Sequence, residues 1–298
     1  MISIRAGISG IFFLLGITAS GQTRVEKFKQ LKTDKDTLGQ RLLLEEWQNA
    51  TPDDPELYAS YFTYYIEKSR TEKIRPVHTD QGKYLPLKDS AGHITGYMYG
   101  EATYNPDYLV PGFERIDEGI SKFPDRLDMR FGKIHMLGEI HDYDSFTTEI
   151  VKCIVYSGVN KNAWLWTMNE PVKNPKDFLL TNTQSYVNHL FSYGDVQVKN
   201  VRRIAEATLS VYRDHIMSLS NLGITYILEE DYEKALEALL KAEKKSPKDA
   251  VVMGNIAYVY SKLKDNKKAG EYYQKMIQFG DADAKTFARE QLNKLNEQ

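Results

Sequence analysis

The sequence predicts an all-α protein in which antiparallel helix pairs stack into an α-solenoid, with one small β-hairpin inserted between helices. Residues 221–247, NLGITYILEEDYEKALEALLKAEKKSP, align with residues 255–281, NIAYVYSKLKDNKKAGEYYQKMIQFGD, at an offset of 34. Apolar residues elsewhere follow the spacing of amphipathic helices. One segment alternates apolar and polar residues on both sides of a turn, which is typical of a hairpin.

The amino terminus, residues 1–21, has the pattern of a cleaved signal peptide. Arg5 precedes an apolar run over Ile11–Ile17, and small residues stand before Gln22. The apolar run is shorter than the roughly 20 residues that a membrane-spanning helix needs, so a membrane anchor is the less favoured alternative. No cysteine stands near the cleavage site, which disfavours a lipid anchor. We therefore expect a periplasmic or secreted protein without stable membrane insertion.

Composition narrows the classes of function. The chain has 298 residues and a formal net charge of −2, with acidic and basic residues well mixed, so nucleic acid is not an expected partner. Its one cysteine, Cys153, excludes an internal disulfide. Because Cys153 lies in the apolar stretch EIVKCIVYS, we expect it to be buried rather than reactive.

Residues 22–69 predict an N-terminal helical pair, Thr37–Trp47 and Pro55–Lys68. The aspartates and prolines of the intervening NATPDDP suit a helix stop followed by an N-cap and a first-turn proline. Residues 70–103 predict a loop and a β-hairpin insertion. The polar stretch SRTEKIRPVHTDQG is the expected loop, and Tyr84–Tyr99 is the expected hairpin, with its turn at DSAG.

Residues 104–215 predict irregular helical repeats. DYDSFTTEIVKC, residues 142–153, parallels the later DYEKALEALLKA, and Val110–Phe123 is another expected second helix. A further pair is expected over Phe178–Phe191 and Val196–Tyr212. A helix that carries Trp164 is expected to be cut short by Pro171. Of Trp164 and Trp166, we expect one in the core and the other towards a groove or a neighbouring helix, the alternative being that both are buried.

Residues 216–298 predict two regular helix pairs and a capping helix. Apolar and small residues form one stripe on each helix of a pair, and small residues let two helix backbones approach closely. The final helix, Ala284–Leu295, is expected to cap the stack with a polar face. The stripe residues of the first pair are Leu222, Gly223 and Tyr226 on one helix and Ala235, Leu239 and Ala242 on the other.

These residues resemble the tetratricopeptide repeat (TPR), a helix-turn-helix unit of 34 residues, over Ile216–Asp281, and with the leader they suggest an exported bacterial type. Met276 and Asp281 depart from the usual small residue and proline. The resemblance implies a concave surface formed by the first helices, where an asparagine contacts a bound peptide backbone. Ser220 and Gly254 stand where chaperone-tail-binding members have a clamp lysine, so that function does not carry over. The expected partner-binding residues are Asn221, Ile224, Asn255, Tyr258 and Lys262.

The expected function is a non-enzymatic scaffold that binds a protein or peptide, without a cofactor or metal. The sequence contains no Gly-rich phosphate loop, HExxH motif, nucleophile elbow or paired-cysteine metal site. The alternative is a hydrolase-like enzyme with a site between the hairpin and the central helices, using His93, His135 or Glu139. His135 and Glu139 are spaced to share a metal, but a solvated surface pair is favoured. A self-assembling structural subunit is a third possibility, and the oligomeric state stays open.

Overall fold

The computed structural model describes residues 13–77 and 85–296, with helix over 73% of the chain and one small antiparallel sheet. This confirms the predicted fold class. Contacts divide the chain into two compact units. Unit 1 comprises the described residues up to Lys133 together with Leu165–Pro171, and unit 2 comprises Ile134–Trp164 and the described residues from Val172 onwards. Both divisions fall inside the segment 104–215.

Unit 1 begins with three helices where the sequence predicted a pair. The first, α1, was missed: its Val25 and Phe28 pack against Leu44 and Trp47. The first twelve residues of the predicted signal peptide lie outside the described residues, and the helix runs from Phe13 without a break. The helices of this unit are α1 Phe13–Thr33, α2 Thr37–Ala50, α3 Pro55–Ser69, α4 Pro106–Lys122 and the first part of α5 Leu127–Glu139.

The start of α3 confirms the predicted cap. The Asp54 carboxylate accepts a hydrogen bond from the Glu56 backbone N–H, and Pro55 occupies the first turn. Because the first N–H groups of a helix have no partner within the helix, a carboxylate there satisfies one donor and complements the helix dipole. The same Asp54 side chain accepts from the Trp47 indole at 3.0 Å, which ties α2 to α3.

The sheet contains the predicted hairpin and one strand more. Strands β2 Leu85–Lys88 and β3 Ile94–Tyr104 form the hairpin, and Asp89 accepts from two backbone N–H groups in its turn. Strand β1, Arg70–Val77, pairs antiparallel with β3 along its whole length. The loop predicted there is therefore wrong for residues 70–77, while residues 78–84 lie outside the described residues. Strand β1 lacks an apolar alternation because its described side chains are almost all exposed, so neither face packs on a core and its pairing depends on backbone hydrogen bonds to β3.

Unit 1 contains a buried ionic cluster centred on Arg126. The Arg126 side chain is 1% exposed; it lies 2.7 Å from Glu56 Oε1, and two of its nitrogens bind Asp128 at 2.9 and 2.7 Å. Glu56 also accepts from the Met168 backbone N–H at 2.7 Å. Met168 and Asn169 have φ values of 60° and 58°, a region that non-glycine residues rarely occupy. Through Glu56, the ionic cluster thus stabilises the turn at Met168 and Asn169, whose backbone conformation is unfavourable.

The central part of unit 2 is helical with one extended interruption. Its helices are the last part of α5, α6 Tyr143–Val159, α7 Pro175–Phe191 and α8 Val198–Val211. Cys153 is buried on α6, as predicted. The predicted helix around Trp164 is wrong: residues 163–166 are non-helical, because Lys161 and Asn162 turn the chain with φ values of 54° and 60°.

The two tryptophans occupy different environments, as expected. Trp164 is buried in unit 2, with its ring centroid 5.6 Å from that of Tyr156. Trp166 is half-buried in unit 1 and meets the Phe131 ring edge-on at 6.2 Å. The core position therefore belongs to Trp164, and Trp166 faces a neighbouring helix.

The carboxy-terminal part of unit 2 contains two regular helix pairs and the expected final helix. The first and second helices pack through small residues: a Cβ on Gly223 would lie 2.6 Å from Leu239 Cγ. The two turns repeat closely, since Glu230 and Lys264 have φ values of 61° and 62°. No described helix is long and apolar enough to cross a membrane. The helices are α9 Ile216–Leu228, α10 Tyr232–Lys245, α11 Ala250–Lys262, α12 Asn266–Phe279 and α13 Ala282–Asn296.

Candidate functional site

One face of α9 and of its neighbour α11 carries residues at matching repeat positions, and we call it the first-helix face. On α9 its residues are spaced by four, three and four, which places them on one side of an α-helix. Each has an equivalent on α11, 34 residues later. The face consists of Met217, Asn221, Ile224 and Leu228 on α9 and Val251, Asn255, Tyr258 and Lys262 on α11.

Large apolar side chains on this face are open to solvent. Val251 is 65% exposed, Met217 50% and Tyr258 39%. Ile224 is half-buried, and the Lys262 ammonium lies 5.3 Å from the centre of the Tyr258 ring. The exposed apolar side chains thus recur at equivalent positions of the two repeats, and exposed apolar surface of this kind is typical of interaction sites.

The two asparagines of the face differ in their bonding. Asn221 is buried, and its Nδ2 donates to Gln184 Oε1 on α7 at 2.8 Å. Asn255 is half-buried, and among the described residues its buried Nδ2 has no hydrogen-bond acceptor. A buried donor without a partner costs about 1–3 kcal/mol. The same residue type at the same repeat position is therefore satisfied internally in the first unit and left unsatisfied in the second.

The tyrosines adjacent to the face are structural. Tyr226 lies under the Arg202 guanidinium, 4.3 Å from it, and Tyr260 stacks on Tyr272 at 5.7 Å. The Tyr272 hydroxyl donates to Glu243 at 2.8 Å, which links α12 to α10. These rings bind neighbouring helices together and leave Tyr258 as the exposed aromatic residue of α11.

The residues named for the enzymatic alternative are all at the surface. His93 lies in the turn between β2 and β3, where its Nδ1 is 3.3 Å from Asp89 Oδ2. His135 and Glu139 are exposed, one turn apart on α5. Within the described ranges, no three His, Cys, Asp or Glu side chains are placed to hold a metal ion.

A cavity of about 600 Å³ lies in unit 2 where α8 turns into α9. No sequence pattern predicts this cavity, because Lys176, at the start of α7, joins the other lining residues only through the folding of the chain. Burial, and next the charge of Lys176, lower the pKa of His215 below its ordinary value. The lining residues are Lys176, Val211, Tyr212, Arg213, Asp214, His215, Ile216 and Met217.

Comparison with known families identifies the helix pairs of α9–α12. The model of the tetratricopeptide repeat matches residues 218–249 and 250–279. The chain thus contains two tetratricopeptide repeats, where the period of 34 residues predicted them. This fold suggests a scaffold for protein–protein interaction, and tetratricopeptide repeat proteins are typically non-enzymatic. No curated protein matches the chain.

Solved structures of tetratricopeptide repeat proteins are similar to this chain at low identity. MamA from Desulfovibrio magneticus RS-1 is 16% identical, with a TM-score of 0.37, over 56% of this chain and 83% of that one. The Sgt2 TPR domain from Aspergillus fumigatus is 22% identical, with a TM-score of 0.30, over 38% and 83%. The P58(IPK) TPR domain is 11% identical, with a TM-score of 0.35, over 94% and 65%.

Proposed function

We propose that this protein is a non-enzymatic scaffold that binds a peptide or protein segment on the first-helix face. The observation that carries the proposal is the recurrence of exposed apolar side chains at one pair of equivalent positions, Met217 and Val251, next to the exposed Tyr258. The residue equivalent to Tyr258, Ile224, is half-buried on the same face. Apolar surface that stays in water lacks the stabilisation of about 25 cal/mol for each Å² that burial against a partner would give. A partner that covers it recovers this free energy.

The face also indicates what the partner presents. Met217 and Val251 offer apolar contact without a charge, and Tyr258 adds a ring with a polar end. The Asn255 side chain is half-buried, and a rotation that turns its unsatisfied Nδ2 outward would let it donate to a backbone carbonyl of the partner beside Tyr258. Lys262 favours an acidic group near the end of α11. The best-matched partner is a segment with apolar side chains and accessible backbone, bound by contact and amide hydrogen bonding.

Affinity capture with a matched control tests the binding proposal. The tagged full-length protein would be recovered from its own cell envelope fraction and its partners identified by mass spectrometry. We expect the double variant Val251→Ser/Tyr258→Ala to lose a partner that the unaltered protein retains, by about tenfold or more, as for residues central to an interface. Val159→Ser, at a 70% exposed valine on α6, is the control. Equal recovery with both variants would contradict the proposal.

We also propose that the protein is exported and acts in the periplasm or outside the cell. The support is the sequence pattern of residues 1–21: a basic residue, an apolar run and small residues before Gln22. Amino-terminal sequencing of protein purified from the envelope is expected to begin at Gln22. Replacing Phe12 and Leu14 by Asp is expected to keep the chain in the cytoplasm uncleaved. Cleavage that is unaffected by these aspartates would argue against the proposal.

A further inference from the structure

The cavity at the α8–α9 turn concentrates positive charge that the fold leaves uncompensated. Lys176, Arg213 and His215 line it, together with one acidic residue, Asp214. Asp214 is already paired, with its carboxylate 2.7 Å from Lys245 Nζ. Within the part of the chain that the structure describes, Arg213 makes no ion pair. The lining therefore contains two cationic side chains and a histidine, and its one carboxylate is already paired with Lys245.

Packing restricts where these groups lie. The Lys176 ammonium is 5.2 Å from the centre of the Tyr212 ring, and the Tyr212 hydroxyl donates to Asn162 at 2.8 Å. His215 is half-buried, and its Nδ1 is 2.8 Å from the Ser218 hydroxyl. The aromatic ring is thus positioned by the turn that follows α6, and the imidazole by α9. The exposed Lys176 and Arg213 and the half-buried His215 therefore line one open cavity.

The backbone adds to the positive electrostatic potential in the cavity. Helices α7 and α9 both begin beside the cavity, and their N-cap residues, Asn174 and His215, make no side-chain capping hydrogen bond. The first N–H groups of a helix carry partial positive charge and attract anions. On their own two helix starts define no site, but here they accompany a cavity lined by cationic side chains.

The rest of the lining is apolar. Val211, Ile216 and Met217 form walls of the cavity. Its volume of about 600 Å³ falls within the range of small-molecule sites, which combine apolar walls with a few placed polar groups. We propose that the cavity binds an organic oxyanion, a carboxylate or phosphate group held by Lys176, Arg213 and His215, with an apolar part against Val211 and Met217.

This site is separate from the proposed binding of a segment on the first-helix face, although Met217 borders both. The oxyanion has two possible sources, a free small molecule or an acidic group on a bound chain. A carboxylate or phosphate presents the same acceptors to lysine, arginine and a protonated imidazole in either case. Small probes test the cavity alone, so failure here would leave the first-helix face untouched.

NMR of the His215 imidazole in the full-length protein tests the proposal directly. Hexanoate, its uncharged analogue 1-hexanol and inorganic phosphate would be titrated in turn at constant ionic strength. We expect hexanoate to shift the His215 resonance saturably and to raise its pKa, since a nearby anion favours the protonated ring. Hexanol should bind at least about tenfold more weakly, a difference of about 1.4 kcal/mol. Saturation by phosphate as well would show that a free anion binds, whereas saturation by phosphate but not by hexanoate would contradict the apolar part of the proposal.

Matched variants decide whether the cavity cations are responsible. Lys176→Gln/Arg213→Gln should weaken hexanoate binding about tenfold or more. Lys173→Gln, an exposed lysine just before α7 that does not line the cavity, should bind as the unaltered protein does. Both cavity positions are exposed, so circular dichroism should show an unchanged fold. The proposal is overturned by no saturation with either anion, by equal binding of hexanol, or by equal loss in the control.

Discussion

The repeat pairs α9–α12 and the ionic centre of unit 1 are stabilised in opposite ways. In the repeats, contacts join helices that follow one another in the chain, through small residues such as Gly223 and Ala235. In unit 1, Arg126 joins Glu56 and Asp128, and Glu56 reaches Met168, 112 residues further along the chain. The first arrangement depends on steric fit between neighbours, and the second on charges that only the complete unit brings together.

This difference explains which region the sequence describes well. The interactions that stabilise a repeat lie within about 34 residues, so the sequence patterns that encode them recur in each repeat. Asp231 and Asp265 show this at the level of single hydrogen bonds, since each accepts from the backbone N–H three residues later. A buried ionic cluster leaves no periodic trace, because its members are distant in sequence.

Removing the Arg126 charge should have the largest effect. Arg126→Met leaves the Glu56 and Asp128 carboxylates buried without their cation, and we expect a loss of about 3–5 kcal/mol in the free energy of unfolding. Urea denaturation followed by circular dichroism measures this loss. Arg41→Met is the matched control, because Arg41 and Glu45 form an exposed pair worth at most about 1 kcal/mol. Similar losses for the two variants would show that the buried cluster is not a special feature of unit 1.

Adding one methyl group to the repeat packing should have the next largest effect. A Cβ at position 223 would lie 2.6 Å from Leu239 Cγ, so Gly223→Ala forces that leucine to move and should cost about 1–3 kcal/mol. Gly270→Ala on α12 is the control, since its nearest neighbour would be 3.8 Å away. There the better helix propensity of alanine should stabilise by up to about 1 kcal/mol. Thermal unfolding should therefore show a lower melting temperature for Gly223→Ala and a higher one for Gly270→Ala.

The two asparagines of the first-helix face should respond differently to alanine. Asn221→Ala removes a hydrogen bond to Gln184 and should cost about 1 kcal/mol of stability. Asn255→Ala removes a donor that no described residue satisfies, so stability should change by less than about 0.5 kcal/mol or rise. Urea denaturation compares them. If Asn255→Ala were the more destabilising of the two, the side chain would be serving the fold rather than a partner.

The pH dependence at His215 should be the smallest effect. Burial and Lys176 lower the pKa of His215 in the folded protein, so the unfolded chain binds the proton more readily. The contribution to stability is present above the ordinary pKa of about 6.5 and is lost as the pH falls below it. His215→Gln should therefore flatten the decline of the melting temperature between about pH 7 and 5. If the melting temperature of His215→Gln fell as steeply with pH as that of the unaltered protein, His215 would not be the source of the decline.

Pattern alone identified the elements whose stability is local. The capped start of α3, the hairpin turn at Asp89 and the burial of Cys153 all follow from short-range rules, and all are present. The missed or mistaken elements depend on distant partners. Strand β1 needs β3 to pair with, and the chain around Trp164 leaves the helix through left-handed residues that a helical pattern does not reveal.

The candidate sites divide in the same way. The five predicted binding residues lie on α9 and α11 because the period places equivalent residues on equivalent faces. Their bonding was not predictable: only the tertiary structure brings Gln184 of α7 to Asn221 and leaves Asn255 Nδ2 without a described acceptor. The cavity had no sequence signal, because Lys176 lies on α7 and Arg213 in the turn between α8 and α9, far apart in the sequence.

By itself, the sequence determined the helix pairs, their small-residue contacts, their caps and the face that the repeats present. Those features depend on interactions within one or two turns or between adjacent helices, which spacing encodes directly. Tertiary structure alone decided the ionic cluster around Arg126, the third strand and the cationic cavity. Each of these needs groups from distant parts of the chain, and the free energy of bringing them together belongs to the folded unit rather than to any segment.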